Sequence, residues 1–170
     1  MAGIADILTE LENINKNDLD AIREFGPLEM GPRGRSVETL LCADGVTTVE
    51  TSPQVREFYS YALWWKLSSV ELEWINPEEL AEILRHPPIE EMVLQDTRGG
   101  RIQLEGMNER NSVLFSVDNL QAPFDRAYFV FLGKPEPAVV YAGSEVSVYD
   151  DLMEYLESWK ASLGDYPEDS

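Results

Sequence analysis

The chain has 170 residues, with 32 acidic side chains against 13 basic ones, a formal net charge of -19, and a single cysteine and a single histidine. That charge repels nucleic acid and anionic membrane and attracts basic partners. One Cys and one His exclude a zinc site made of those residues and remove most of the side-chain chemistry of hydrolases. Hydrophobic residues nonetheless make up 44% and aromatics 10%, so the acidity does not signal disorder, and the length suits one domain around one core.

Ile4, Ile7, Leu8 and Leu11 recur at helical spacing and predict an opening amphipathic helix. Asn17 is the expected cap of a second short helix carrying Leu19, Ile22 and Phe25, stopped by Gly26-Pro27. Leu40, Leu41 and Cys42 lead through Asp44-Gly45 into Val46-Thr47-Thr48-Val49, a hairpin signal because a tight primed turn needs positive φ. Ser52-Pro53 then starts a helix, serine as cap and proline at the first position. Val55, Phe58, Tyr59 and Ala62 line its face as it runs toward Trp64-Trp65, which point to different faces, one to the core and one partly to solvent.

Ile75-Asn76-Pro77-Glu78-Glu79-Leu80 is a helix start with cap, first-position proline and hydrophobic staple, and its glutamates suit the positive end of the helix dipole. Leu80, Ile83 and Leu84 form its buried stripe, and His86-Pro87-Pro88 is read as its end. Beyond residue 90 the pattern reads as period two. Met92 to Gln95 and Ile102 to Leu104 predict a hairpin turning at Thr97 to Gly100. Val113 to Val117, Tyr128 to Leu132 and Ala138 to Tyr141 predict further strands, the apolar Tyr128 to Leu132 at the centre of the sheet. Leu152, Leu156, Trp159 and Leu163 predict a closing helix. The expected architecture is α+β, a mostly antiparallel sheet packed against several helices, with residues 1–163 as one domain and 164–170 as a flexible acidic tail.

No phosphate-binding glycine loop, dinucleotide fingerprint, calcium loop or nucleophile elbow occurs in the chain. Cys42, in an apolar strand, reads as a small buried hydrophobe, and His86 as a helix-terminal residue near carbonyls. Paired carboxylates are the one catalytic option left, and among 32 acids neighbouring pairs such as Glu90-Glu91 arise by chance. The expectation is a non-catalytic protein that needs no metal or cofactor. No apolar run reaches the roughly 18 residues of a membrane helix. The first six residues lack a signal peptide's basic start and apolar stretch. A cytoplasmic protein is therefore expected, and a lone Cys42 fits a reducing compartment.

The last hundred residues carry a recognisable order. A short strand leads to Ile75-Asn76-Pro77-Glu78-Glu79-Leu80, which enters a helix; Met92 to Leu104 holds an acid-flanked strand and a Gly-Gly turn, and Ala127 to Leu132 is a long strand. Pro135-Glu136-Pro137-Ala138-Val139-Val140-Tyr141 follows, and Val148-Tyr149-Asp150-Asp151-Leu152-Met153-Glu154-Tyr155-Leu156 leads into the final helix. This order resembles the SUKH superfamily, which includes the fungal Smi/Knr cell-wall regulators and many bacterial immunity proteins. The resemblance implies an antiparallel sheet packed against helices and a role in neutralising a toxin by direct binding. It carries no site residues to this chain.

The partner expected from the charge is a protein, a cationic toxin domain such as a nuclease, with nucleic acid and membrane excluded as partners. Residues 67 to 110 hold ten acids and four bases, and the candidate contacts there are Glu71, Glu73, Glu90, Glu91 and Asp96, expected on strands and loops. Glu78, Glu79 and Glu82 are weaker candidates, since helix capping and solvation account for them. Trp64 or Trp65 is the candidate apolar anchor. The alternative is a regulatory or scaffold module in which acidity serves solubility alone.

Overall fold

Ile4, Ile7, Leu8 and Leu11 form one buried stripe along α1 (Ile4–Asn17), as their spacing requires. The structure, a computed structural model, describes residues 3–66 and 73–164. Asn17 belongs to α1 itself, so the cap of α2 (Leu19–Phe25) falls one residue later. Asp18 accepts from the Ala21 N–H at 3.0 Å, and Gly26, at φ 89°, ends the helix. A two-residue strand β1 (Glu29–Met30) follows, then the hairpin of β2 (Thr39–Leu41) and β3 (Thr48–Glu50). Its turn is not the tight primed one: only Gly45 takes positive φ (72°), the Gly45 N–H donates to the Cys42 carbonyl at 2.9 Å, and the Asp44 carboxylate accepts from the Val46 and Thr47 N–H groups.

Ser52 caps α3 (Pro53–Tyr61) by accepting from the Val55 N–H at 3.3 Å. The helix stops before the tryptophans, and Trp65 opens β4 (Trp65–Lys66), which pairs with β5 (Glu73–Trp74). The division of the tryptophans into one buried and one half-buried ring therefore comes from strand alternation, not from a helix. Asn76 accepts from the Glu78 N–H at 3.0 Å and starts a 3₁₀ turn (Pro77–Glu79) that runs into α4 (Leu80–Ile83).

The expected hairpin at 92–104 is not formed. Met92 to Gln95 lie in α5 (Pro87–Thr97), whose buried residues Ile89, Met92, Val93 and Asp96 follow helical spacing, and Ile102 to Leu104 belong to no strand. The sequence signal is ambiguous here for a physical reason: prolines that end one helix equally occupy the first positions of the next. His86 precedes α5, and its backbone N–H donates to the Ile83 carbonyl at 3.1 Å.

Strands β6 (Ser112–Val117), β7 (Arg126–Val130), β8 (Ala138–Ala142) and β9 (Val146–Tyr149) complete a seven-stranded sheet of order β1-β4-β5-β6-β7-β8-β9, antiparallel throughout. The midpoint of that order is β6, with the expected central segment beside it as β7; both are wholly buried. Helices α1, α3 and α6 (Leu152–Gly164) cover one face. A register shift between Leu114 and Ser116 leaves Phe115 as the extra residue of a bulge. Its ring stacks on Phe129 at 4.0 Å, with Phe58 of α3 and Tyr155 of α6 set edge-on against it. On the other face α5 is tied to the sheet by a buried charge cluster. The Arg126 guanidinium donates both ways to the Asp96 carboxylate, through Nε at 2.8 Å and through Nη2, and the Tyr128 hydroxyl donates to the same carboxylate at 2.6 Å.

No helix of the described residues is long and apolar enough to cross a membrane. The expected acidic tail begins at Gly164, where α6 ends; its residues 165–170 lie outside the described residues.

Candidate functional site

Strand register places Glu29, Lys66, Glu73, Val117 and Arg126 side by side in one row across the sheet, so their side chains share one face. At the Arg126 end that face is covered by α5. At the β1-β4-β5 end Glu29, Lys66 and Glu73 are exposed, and a cleft of about 390 Å³ opens between the strands, the 3₁₀ turn and α4. Trp64, Ile83, Val117 and Leu120 supply apolar wall; Glu29, Glu73 and Glu79 supply three carboxylates against the single ammonium of Lys66. Lys66 approaches Glu29 at 3.9 Å with both side chains more than half exposed, a pair worth little in water. Among the described residues neither Glu73 nor Glu79 has a salt-bridge partner.

The aromatic wall is held from behind. Gly31 lies against the Trp64 ring, its N–H donates to the Trp64 carbonyl at 2.9 Å, and the Leu63 N–H donates to the Pro32 carbonyl at 3.1 Å. Arg33 then sits 4.5 Å above the Tyr61 ring, and Tyr61 stacks on Trp65 at 5.7 Å. Glu12 closes this support by accepting from Lys16 at 2.5 Å, Arg33 at 2.6 Å and the Tyr61 hydroxyl at 2.6 Å. Burial alone would raise the Glu12 pKa, but these donors outweigh it and hold the carboxyl at about 2. Leu120 is set by its loop, in which Asp118 Oδ1 accepts from the Asn119 and Phe124 N–H groups and Asn119 Oδ1 from those of Gln121 and Ala122.

Of the residues singled out in the sequence, Glu73, Trp64 and Trp65 come together here, with Trp65 1% exposed and so contributing support more than contact surface. Glu71 lies outside the described residues. Glu90 and Glu91 stand exposed on α5, not on strands. Glu90 borders a cleft of about 350 Å³ shared with Arg85 and Arg98, and Glu91 one of about 320 Å³ shared with Arg101 and Arg126. Asp96 is corrected outright as a surface contact: it is 2% exposed and taken up by Arg126 and Tyr128. Its helix turns it inward, where a carboxylate persists only if paired. Glu79, a weaker candidate, lines the cleft, whereas Glu29, Lys66 and Leu120 carried no signal at all. Two-residue strands such as β1 and β4 are too short to show a period, and their pairing joins segments far apart in the chain.

Among the described residues no group of three or more His, Cys, Asp or Glu side chains is placed to hold a metal ion. Cys42 is wholly buried, and burial, with the Asp44 charge adding to it, pushes its thiol up to about 11. The chain is thus an α+β protein with an antiparallel seven-stranded sheet, one of whose clefts is acidic and aromatic. No protein-family model, curated protein or solved structure matches it.

Proposed function

We propose that this chain is a non-catalytic binding protein that neutralises a basic protein partner, in the manner of an immunity protein or antitoxin acting on a cationic toxin in the cytoplasm. The observation that carries the reading is the cleft at β1-β4-β5: three carboxylates and one lysine around a fixed, half-buried Trp64. An aromatic face beside unpaired carboxylates is chemistry suited to a lysine or arginine side chain, which gains both cation–π and charge-assisted contact. Leu120, 37% exposed at the rim, adds apolar contact next to it.

The net charge of -19 supports the same reading at longer range. It steers a cationic surface toward the protein and raises the association rate. A nuclease toxin carries cationic groups for phosphate, and a rigid acidic surface competes for them. The likeness of the Ile75 to Leu80 and Ala127 to Leu156 segments to the SUKH order adds support for neutralisation by binding; the strand which that order expects in Met92 to Leu104 is helix α5 here.

The test begins with affinity purification of the partner from cells that make this chain, followed by its activity and association kinetics with the purified protein. The expected result is a basic partner whose activity is inhibited stoichiometrically, with an association rate that falls steeply between low and physiological salt. Glu73→Gln with Glu79→Gln is expected to weaken the complex roughly tenfold or more, as loss of two charge contacts implies. A salt-independent rate, or inhibition untouched by the double variant, overturns the proposal.

A further inference from the structure

The two edges of the sheet are built differently. Strand β1 is two residues long and bracketed by Pro27 and Pro32, devices that blunt an edge. Strand β9 runs for four residues in unbroken register with β8 and contains no proline, lysine or arginine. Among the described residues no other strand or loop makes backbone hydrogen bonds to it. Val146 and Val148 pair with Ala142 and Val140, both 0% exposed, yet are themselves 40% and 48% exposed. The apolar row of the sheet therefore reaches its edge uncovered, while Tyr149 is turned to Tyr155 of α6.

Charge decides what fits this edge. Glu145 precedes β9, and Asp150 and Asp151 follow it, with Glu154 held to the Asp150 N–H at 2.8 Å. Arg101, whose guanidinium donates to the Gly143 carbonyl at 3.3 Å, is a base beside the β8-β9 turn. A second copy paired antiparallel about the centre of β9 would set Glu145 of each chain opposite Asp150 of the other, acid against acid at both ends, which destabilises a strand pair. A strand with lysine or arginine at its ends meets the opposite situation. We infer that β9 takes up an extended segment of a basic protein as an eighth strand, valines packing alternate apolar side chains and the flanking acids receiving its terminal cations. The inference rests on the proposed reading of a basic protein partner and gives that partner a second surface, at the opposite edge of the sheet from the cleft.

The probe is a synthetic peptide of alternating valine and threonine with two lysines at each end, compared with its glutamate-ended counterpart. Residue-resolved amide hydrogen exchange of the full chain is the readout. The lysine-ended peptide is expected to slow exchange at alternate residues of 146–149 by about tenfold or more, and the glutamate-ended one to leave it unchanged. Val148→Lys, which keeps an edge strand intact while opposing the cation, is expected to abolish the effect, and Glu73→Gln in the cleft to leave it in place. Equal protection by both peptides, or protection confined to the cleft, overturns the inference. So does protection that rises with protein concentration alone, which assigns the edge to a second copy. Partner binding weakened by the Glu73 and Glu79 variants, with no β9 protection by the lysine-ended peptide, overturns this inference alone; β9 protection with partner binding unchanged in those variants overturns the cleft reading alone.

Discussion

Gly31 lies so close to Trp64 that a Cβ placed on it would fall 2.5 Å from the indole Nε1 and 2.6 Å from Cδ1. The backbone at Gly31 needs no positive φ, so the requirement for glycine comes from the ring alone. Through it, the wall of the cleft depends on a residue that does not line the cleft.

Gly31→Ala is therefore expected to push the Trp64 ring out of its seat and to cost about 1–3 kcal/mol, the usual range for an overpacked contact. Urea denaturation reads the loss. An unchanged midpoint would show that the ring has room to yield.

Asp96 and Arg126 make the opposite kind of dependence, a buried pair in which each partner is needed because the other is charged. Asp96→Ala leaves the Arg126 side chain, 3% exposed, without its carboxylate, and the expected loss is about 3–5 kcal/mol. Replacing both, Asp96→Leu with Arg126→Met, is expected to recover part of it, because an apolar pair needs no charge compensation while the buried Tyr128 hydroxyl still loses its acceptor. A double variant as unstable as the sum of the two single ones, in the same denaturation experiment, would sink this account.

The same residue marks where the sequence stops being legible. Helices α1 and α3, the Asp44-Gly45 hairpin and strands β6 to β8 follow from local signals, because caps, turn residues and periods act between near neighbours in the chain. Asp96 looked like surface acid because its partners lie 30 and 32 residues away. Helix α5 looked like strand because prolines at its start read as a stop. The cleft was half visible. Glu73 and the tryptophans stand in an unusual local composition, whereas Glu29 and Lys66 join them only through pairing of β1 with β4, which no period in two residues can announce.

Cys42 provides a test of core integrity that needs no substitution. Its thiol is wholly buried and held at about 11 by burial first and then by Asp44, so at pH 8 thiolate and access are both lacking. A thiol reagent such as an aromatic disulfide is expected to label the native protein only at the rate of opening, and to react fully once urea unfolds it. Immediate labelling without denaturant would contradict the packing of β2 and its turn against the core.

Glu12 gives the fold a defined acid sensitivity, and its sign follows from the direction of the shift. Its folded pKa of about 2 lies below the ordinary 4.5 because Lys16, Tyr61 and Arg33 donate to it, against the upward effect of burial. A depressed carboxyl contributes stability that is fully present above the unfolded value and is lost as pH falls from about 4.5 toward 2. The contribution is at most about 3 kcal/mol, and less in practice, because the Lys16 and Arg33 side chains are 59% and 55% exposed and solvent screens them. Glu12→Gln is expected to be less stable than the wild type near neutral pH, with the difference shrinking as acid protonates Glu12 and makes the two side chains alike. Urea midpoints of both proteins between about pH 6 and pH 2 measure it. A difference that stays constant across that range would mean that the carboxylate charge contributes nothing, and that the Arg33–Tyr61 support of the tryptophan wall is held by packing alone.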